Sequence, residues 1–156
     1  GVLAGTPLNA DVGANSVVIT VSDGTASVTD TFTITVANAN DAPTITSTAV
    51  LTATEDSAYT YTVTAADDDS DALTMTGTTV PGWATFTAST GVLAGTPLNA
   101  DVGANSVVIT ASDGTASVTD SFTITVANTN DAPTITSSAV LTATEDAAYT
   151  YTVTAA

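Results

Sequence analysis

Residues 1–66 of this chain return as residues 91–156 with only five changes: Val21/Ala111, Thr31/Ser121, Ala39/Thr129, Thr48/Ser138 and Ser57/Ala147. The period is 90 residues. Solenoid repeats run roughly 20–50 residues and lean on their neighbours for a core. A unit of this length can close a core by itself. The expected architecture is therefore a row of self-contained domains, like beads on a string. The segment Asn-x-Asn-Asp-Ala-Pro, at Asn38–Pro43 and again at Asn128–Pro133, sets the frame. Its proline has no N–H and a fixed φ, which suits a short stiff junction. Residues 1–41 are then expected to be the C-terminal half of one domain. Residues 42–131 would be a complete domain, and residues 132–156 the first strands of a third. A sequence that starts and stops inside domains reads as a window on a longer array.

Within each period, apolar and hydroxyl residues alternate with a spacing of two, the mark of half-buried strands. Tyr59, Tyr61, Val63 and Ala65 share one face, and Thr60, Thr62 and Thr64 the other. Phe122, Ile124 and Val126 alternate with Thr123 and Thr125 in the same way. Val107, Ile109 and Ala111 form a third inward set, and Leu73 with Met75 a fourth. Shorter strands are expected over Ala49–Ala53, Ala84–Thr87 and Val92–Ala94. Pro81-Gly82, Ser89-Thr90-Gly91, Asp101-Val-Gly103 and Ser112-Asp-Gly114 supply the turns. No segment carries a helical period. The fold expected is all-β: tandem seven-stranded Greek-key β-sandwiches. The single tryptophan, Trp83, is expected in the core or at a strand edge, in preference to a sugar-stacking role.

Charge removes whole classes of function. The 156 residues hold 16 Asp and Glu and no Lys, Arg or His, giving a net charge of −16. Nucleic acid and anionic membrane surfaces demand cations, and none exist here. There is no Cys, so disulfides, thiolate nucleophiles and Cys/His zinc sites are excluded. Histidine-based triads lack their base. Oxygen chemistry remains: carboxylates, hydroxyls, amides and backbone carbonyls, the ligands of hard cations such as calcium. Threonine occupies 36 positions and supplies a water-tolerant outer surface without charge.

The carboxylates cluster. In the complete domain they stand at Glu55-Asp56, Asp67-Asp68-Asp69 with Asp71, Asp101, Asp113, Asp120 and Asp131. The run from Thr54 to Asp69, with its Glu before one strand and Asp-x-Asp after it, resembles the cadherin pattern. Ser112-Asp-Gly114 resembles the cadherin Asp-x-Gly turn, and Asn128-x-Asn-Asp-Ala-Pro133 the cadherin interdomain linker. Pro81-Gly-Trp83 and Gly91-Val-Leu-Ala-Gly-Thr-Pro97 are more similar still to bacterial cadherin-like and immunoglobulin-like modules of large surface proteins, the dystroglycan-type cadherin-like group. The resemblance covers the full period.

It implies calcium between successive domains. At the first junction it carries over Asp11, Asn38, Asn40 and Asp41, with Asp67, Asp69 and Asp113 from the following domain. At the second it carries over Glu55, Asp101, Asn128, Asn130 and Asp131. Electrostatics point the same way, because like charges about 4 Å apart repel by about 4 kcal/mol at an effective dielectric near 20. An EF-hand loop starting at Asp67 is excluded by Ala72 where glycine is needed and Thr78 where a glutamate is needed. A glycosidase carboxylate pair finds no evident cleft, and an enzyme is not expected.

The function expected is a structural repeat of a long extracellular, secreted surface protein, an adhesin stalk or filament rigidified by calcium. The alternative is an adhesive module recognising a carbohydrate or a matching domain on another cell. Neighbouring identical domains are the expected partners, including homopolymeric or homotypic contacts. Without Lys or Arg the chain also offers trypsin-like proteases no cleavage site.

Overall fold

The structure, a computed structural model, describes residues 1–156. It contains eleven strands: β1 (Gly13–Ser22), β2 (Ser27–Val36), β3 (Thr44–Ile45), β4 (Thr52–Thr54), β5 (Tyr59–Thr62), β6 (Ala65–Ala66), β7 (Thr74–Thr79), β8 (Ala84–Thr87), β9 (Val92–Gly95), β10 (Gly103–Ser112) and β11 (Ser117–Ala127). Two three-residue 3₁₀ turns, Asn9–Asp11 and Asn99–Asp101, precede the long hairpins. These two turns were not anticipated from the sequence.

Residues 44–127 form a sandwich. One sheet has the order β4-β11-β10-β7, and the other face is built from β5-β9-β8 with β3-β6 beside it. β3 and β4 are two pieces of one strand line, as are β5 and β6, so the strand lines number seven. The β5–β6 line changes partner part-way. Tyr59–Thr62 pair with β9, whereas Ala65 and Ala66 pair with β3. At the changeover Val63 N donates to Gly91 O at 2.8 Å, and Thr64 N donates to Ser47 Oγ at 2.9 Å. Gly91 holds φ at +68°, and a Cβ there would strike the Val63 carbonyl oxygen. The expected strand Tyr59–Ala65 is therefore interrupted, and Ala49–Ala53 shortens and shifts to Thr52–Thr54.

The core draws on the inward positions that alternation picks out and adds Leu93 from β9, whereas Ala65 and Leu73 are only half-buried. Tyr59, Tyr61, Val63, Leu93, Val107, Ile109 and Ile124 form one buried cluster, flanked by Met75, Trp83, Phe86 and Phe122. Each such large apolar side chain contributes roughly 1.5–3 kcal/mol on burial. Trp83 stacks edge-on to Tyr59 with ring centroids 5.6 Å apart, and its Nε1 donates to Asn105 Oδ1 at 3.0 Å. It is half-buried against the core, with its polar edge satisfied. Outward positions carry hydroxyls, and Thr110 and Thr119 bond across the hairpin at 3.1 Å.

The flanking pieces share the local geometry without the burial. β1–β2 repeats the register of β10–β11 residue for residue, Val17 facing Phe32 as Val107 faces Phe122. Yet Ile19 and Ile34 are exposed where Ile109 and Ile124 are fully buried. Residues 132–156 carry one isolated bridge, Ile135 to Ala155.

Candidate metal centre

The sandwich has two poles, and its acidic residues gather at both. The first pole comprises the linker before β3, the β6–β7 loop and the β10–β11 turn. One carboxylate oxygen each from Asp67, Asp69 and Asp71 lie within 4.8 Å of one another. The loop is folded around Asp67, whose Oδ1 accepts from Asp69 N at 3.0 Å and Asp71 N at 3.2 Å. Ser70 takes φ +64° to complete that turn. Asp67 Oδ2 is buried and has no hydrogen-bond partner. Asp71 is a member the resemblance did not name.

The linker is tied to this loop. Asp41 N donates to Asp69 Oδ2 at 2.7 Å, and Asn40 Nδ2 donates to Asp113 Oδ2 at 3.0 Å. Asp113 Oδ1 also accepts from Thr115 N and Ala116 N at 2.6 Å each. The Ala116 amide, the Asn40 side chain and the Thr115 amide together hold the Asp113 carboxyl below its ordinary value. From the preceding repeat, Asn9 Nδ2 donates to Asp41 Oδ2 at 2.7 Å. Asn9 was missed in the sequence, although Asn-Ala-Asp before a Val-Gly turn recurs at Asn99–Asp101.

Asn40, Asp41, Asp67, Asp69 and Asp113 thus form one bonded neighbourhood. Asp11 is not drawn into it. Its Oδ2 accepts from Leu8 N at 2.9 Å and closes its own 3₁₀ turn. Asn38 makes no side-chain hydrogen bond to the group.

At the second pole Glu55 is the central residue. It is 1% exposed. Its neighbour Asp56 takes φ +59°, which turns the chain so that Glu55 faces inward and Asp56 outward. Glu55 Oε2 accepts from Thr129 N at 3.0 Å, and Glu55 O accepts from Thr129 Oγ1 at 3.3 Å. Glu55 Oε1 is buried with no partner. A buried carboxylate with an empty oxygen and no cation nearby is costly unless something neutralises it. Asp101 repeats the behaviour of Asp11, its Oδ2 accepting from Leu98 N at 2.9 Å. Asn128 and Asn130 donate to the next residue's carbonyl, Thr129 O and Asp131 O. Asp131 forms no side-chain bond to Glu55.

The donors at both poles are oxygens in excess of the protons available, which fits a hard divalent cation. Glu55 Oε1 and Asp67 Oδ2 are the two atoms that such an ion would satisfy.

This two-sheet architecture carries a sequence signature, and the Putative Ig domain family matches residues 42–127. The chain belongs to that family. No curated protein matches the chain. Among solved structures, the endo-fucoidan hydrolase MfFcnA4 of glycoside hydrolase family 107 is similar over 81% of this chain and 20% of its own, at 37% identity and TM-score 0.51. A second hydrolase of that family, MfFcnA9, is similar over 78% of this chain and 23% of its own, at 22% identity and TM-score 0.43. Immunoglobulin domains 1–5 of Sidekick-1 are similar over 84% of this chain and 28% of their own, at 17% identity and TM-score 0.45. The chain spans about a fifth of the length of the hydrolases it matches. The match to MfFcnA4 overturns the expectation of no enzyme. Sequence of this type, at 37% identity, lies within a glycoside hydrolase. The Ig domain here is a structural or binding module.

Proposed function

We propose that this chain is a run of tandem Ig-domain spacers in an extracellular surface protein, stiffened at its junctions by calcium. The proposed units are residues 1–41, 42–131 and 132–156, as parts of successive repeats. The observation that carries the reading is the pair of buried, unpartnered carboxylate oxygens, Glu55 Oε1 and Asp67 Oδ2, one at each pole of the same repeat. In tandem, the Glu55 pole of one repeat meets the Asp67 pole of the next, so both oxygens would belong to one junction. Asp67, Asp69, Asp71, Asp41 and Asp113 would hold the ion from one side, and the glutamate equivalent to Glu55 in the preceding repeat from the other. The ion would supply positive charge that a chain without Lys or Arg lacks. Trp83 supports the spacer role over sugar recognition, because its ring packs on Tyr59 and its N–H is spent on Asn105.

The 37% identity to MfFcnA4 favours a second setting for the same module. There the rod would join a carbohydrate-active catalytic portion to the rest of a longer chain.

Thermal unfolding of residues 1–156 with calcium and with chelator tests the metal. A ligand that binds only the folded state at a hundredfold excess over Kd adds about 2.7 kcal/mol. A melting temperature unmoved by calcium overturns the reading. A shift retained by Asp67→Asn/Asp69→Asn overturns the assignment of its ligands.

A further inference from the structure

We propose that the side-chain amide of Asn9 is a metal-free latch between successive repeats. It holds the Asp41 carboxylate oxygen that calcium would draw on, so ion binding and latch closure oppose each other. The inference rests on the calcium reading above and adds a regulating contact to it. Asn9 lies in the 3₁₀ turn Asn9–Asp11, which belongs to the repeat before the linker. Its Nδ2 donates to Asp41 Oδ2 at 2.7 Å. The backbone N–H of the same Asp41 donates to Asp69 Oδ2 at 2.7 Å, in the repeat after the linker. Asp41 is thus gripped from both sides. An ionised carboxylate only accepts, so the Asn9 amide must turn its nitrogen, the positive end of its dipole, toward the oxygen. A cation approaching Asp41 Oδ2 meets that positive end and favours its departure.

The latch follows from composition. Without Lys, Arg or His, N–H groups are the donors left to partner the carboxylates of this pole. Asp67 accepts from Asp69 N and Asp71 N, and Asp113 from Thr115 N, Ala116 N and Asn40 Nδ2. The turn that presents Asn9 is built locally. Asp11 Oδ2 accepts from Leu8 N at 2.9 Å, and Asn15 Nδ2 donates to Asp11 O at 2.7 Å. The complete repeat makes the same two bonds, Leu98 N to Asp101 Oδ2 and Asn105 Nδ2 to Asp101 O. The turn is therefore a property of the repeat itself. At the second linker Asn99 and Asp131 are not bonded, and no carboxylate accepts from the Asp131 N–H. Asn99 is a control inside the same chain.

The chain has no Cys, so Thr33→Cys with Thr76→Cys places spin labels at two exposed strand positions, one in each repeat. In chelator, Asn9→Ala should broaden the distribution of distances between the labels. In saturating calcium the two distributions should narrow and coincide, because the ion has displaced the amide. Calorimetric titration with calcium should show binding tightened about three- to tenfold by Asn9→Ala, the worth of one exposed hydrogen bond that no longer has to break. Asn99→Ala should leave the affinity unmoved. Equal distributions in chelator, a difference that persists in calcium, an unmoved affinity in Asn9→Ala or an equal tightening in Asn99→Ala overturns the proposal. Weaker binding by Asn9→Ala also overturns it and makes Asn9 a calcium ligand. If the wild-type chain binds no calcium, the calcium reading fails and the opposition between ion and latch falls with it. The distances in chelator then still decide whether Asn9 ties the repeats together.

Discussion

The side-chain amide of Asn40 donates to Asp113 Oδ2 at 3.0 Å, joining the linker to a turn 73 residues further along the chain. With the bond from Asp41 N to Asp69 Oδ2, it fixes how the polypeptide enters the sandwich before any ion is considered. The same bond contributes to the lowered pKa of Asp113, after the Ala116 amide.

That shift has a sign that can be checked. A carboxyl whose folded value lies below its unfolded value of 3.8 adds stability that is complete above 3.8. The gain disappears as pH falls through the folded value. Asp113→Asn should therefore flatten the acid limb of a plot of melting temperature against pH, measured without calcium. Asp23, held down by the Ala26 and Thr25 amides, should keep its own acid dependence in that variant.

Glu55 yields a prediction with two opposite signs. Glu55→Gln keeps the shape and removes a buried charge whose Oε1 has no partner. In chelator it should stabilise the chain by about 1–3 kcal/mol. In calcium it should reduce the ion-induced rise in melting temperature. Two melting curves per variant decide the matter, and a Glu55→Gln chain less stable than wild type in chelator contradicts the account.

At alkaline pH the core tyrosine should respond. Burial, with the neighbouring Tyr61, raises the Tyr59 phenol from 10.0 to about 12. A raised folded value adds stability that is complete below 10.0 and is lost as pH climbs through about 12. Tyr59→Phe should remove that alkaline decline. It should also cost about 1 kcal/mol at neutral pH, because the phenol donates to Val50 O at 2.7 Å.

Gly91 tests the strand changeover. Its φ of +68° costs an L side chain about 1–2 kcal/mol, and the added Cβ meets the Val63 carbonyl. Gly91→Ala should lose more than about 2 kcal/mol in urea unfolding. Gly114→Ala has the positive φ without a neighbour in the way and should lose less.

The strands were legible because Thr and apolar residues alternate so regularly. Tyr59, Tyr61, Ile109 and Ile124 could be assigned to the core from spacing alone, and the structure buries them all. The interruption at Val63-Thr64 was not legible, because it depends on which strand lies alongside. The metal-ligand candidates separated for a similar reason. Asp67 and Asp69 lie two residues apart in one loop, and sequence spacing shows that directly. The inward turn of Glu55 rests on the positive φ of Asp56, and nothing in Glu-Asp says which carboxylate goes inside. Asn9 reaches Asp41 across 32 residues through a 3₁₀ turn that no periodicity announces.

The first and last strand lines of the complete repeat lie side by side and run the same way: Thr52–Thr54 pair in parallel with Thr125–Ala127. Leu51 O and Ala127 O accept further bonds across the same seam, from Thr125 N and Glu55 N. A pulling force applied through the two linkers would load these bonds in shear, so that they share the tension and must give way together, not one after another. Mechanical toughness of that kind comes from strand direction alone, and it costs the repeat no extra residues.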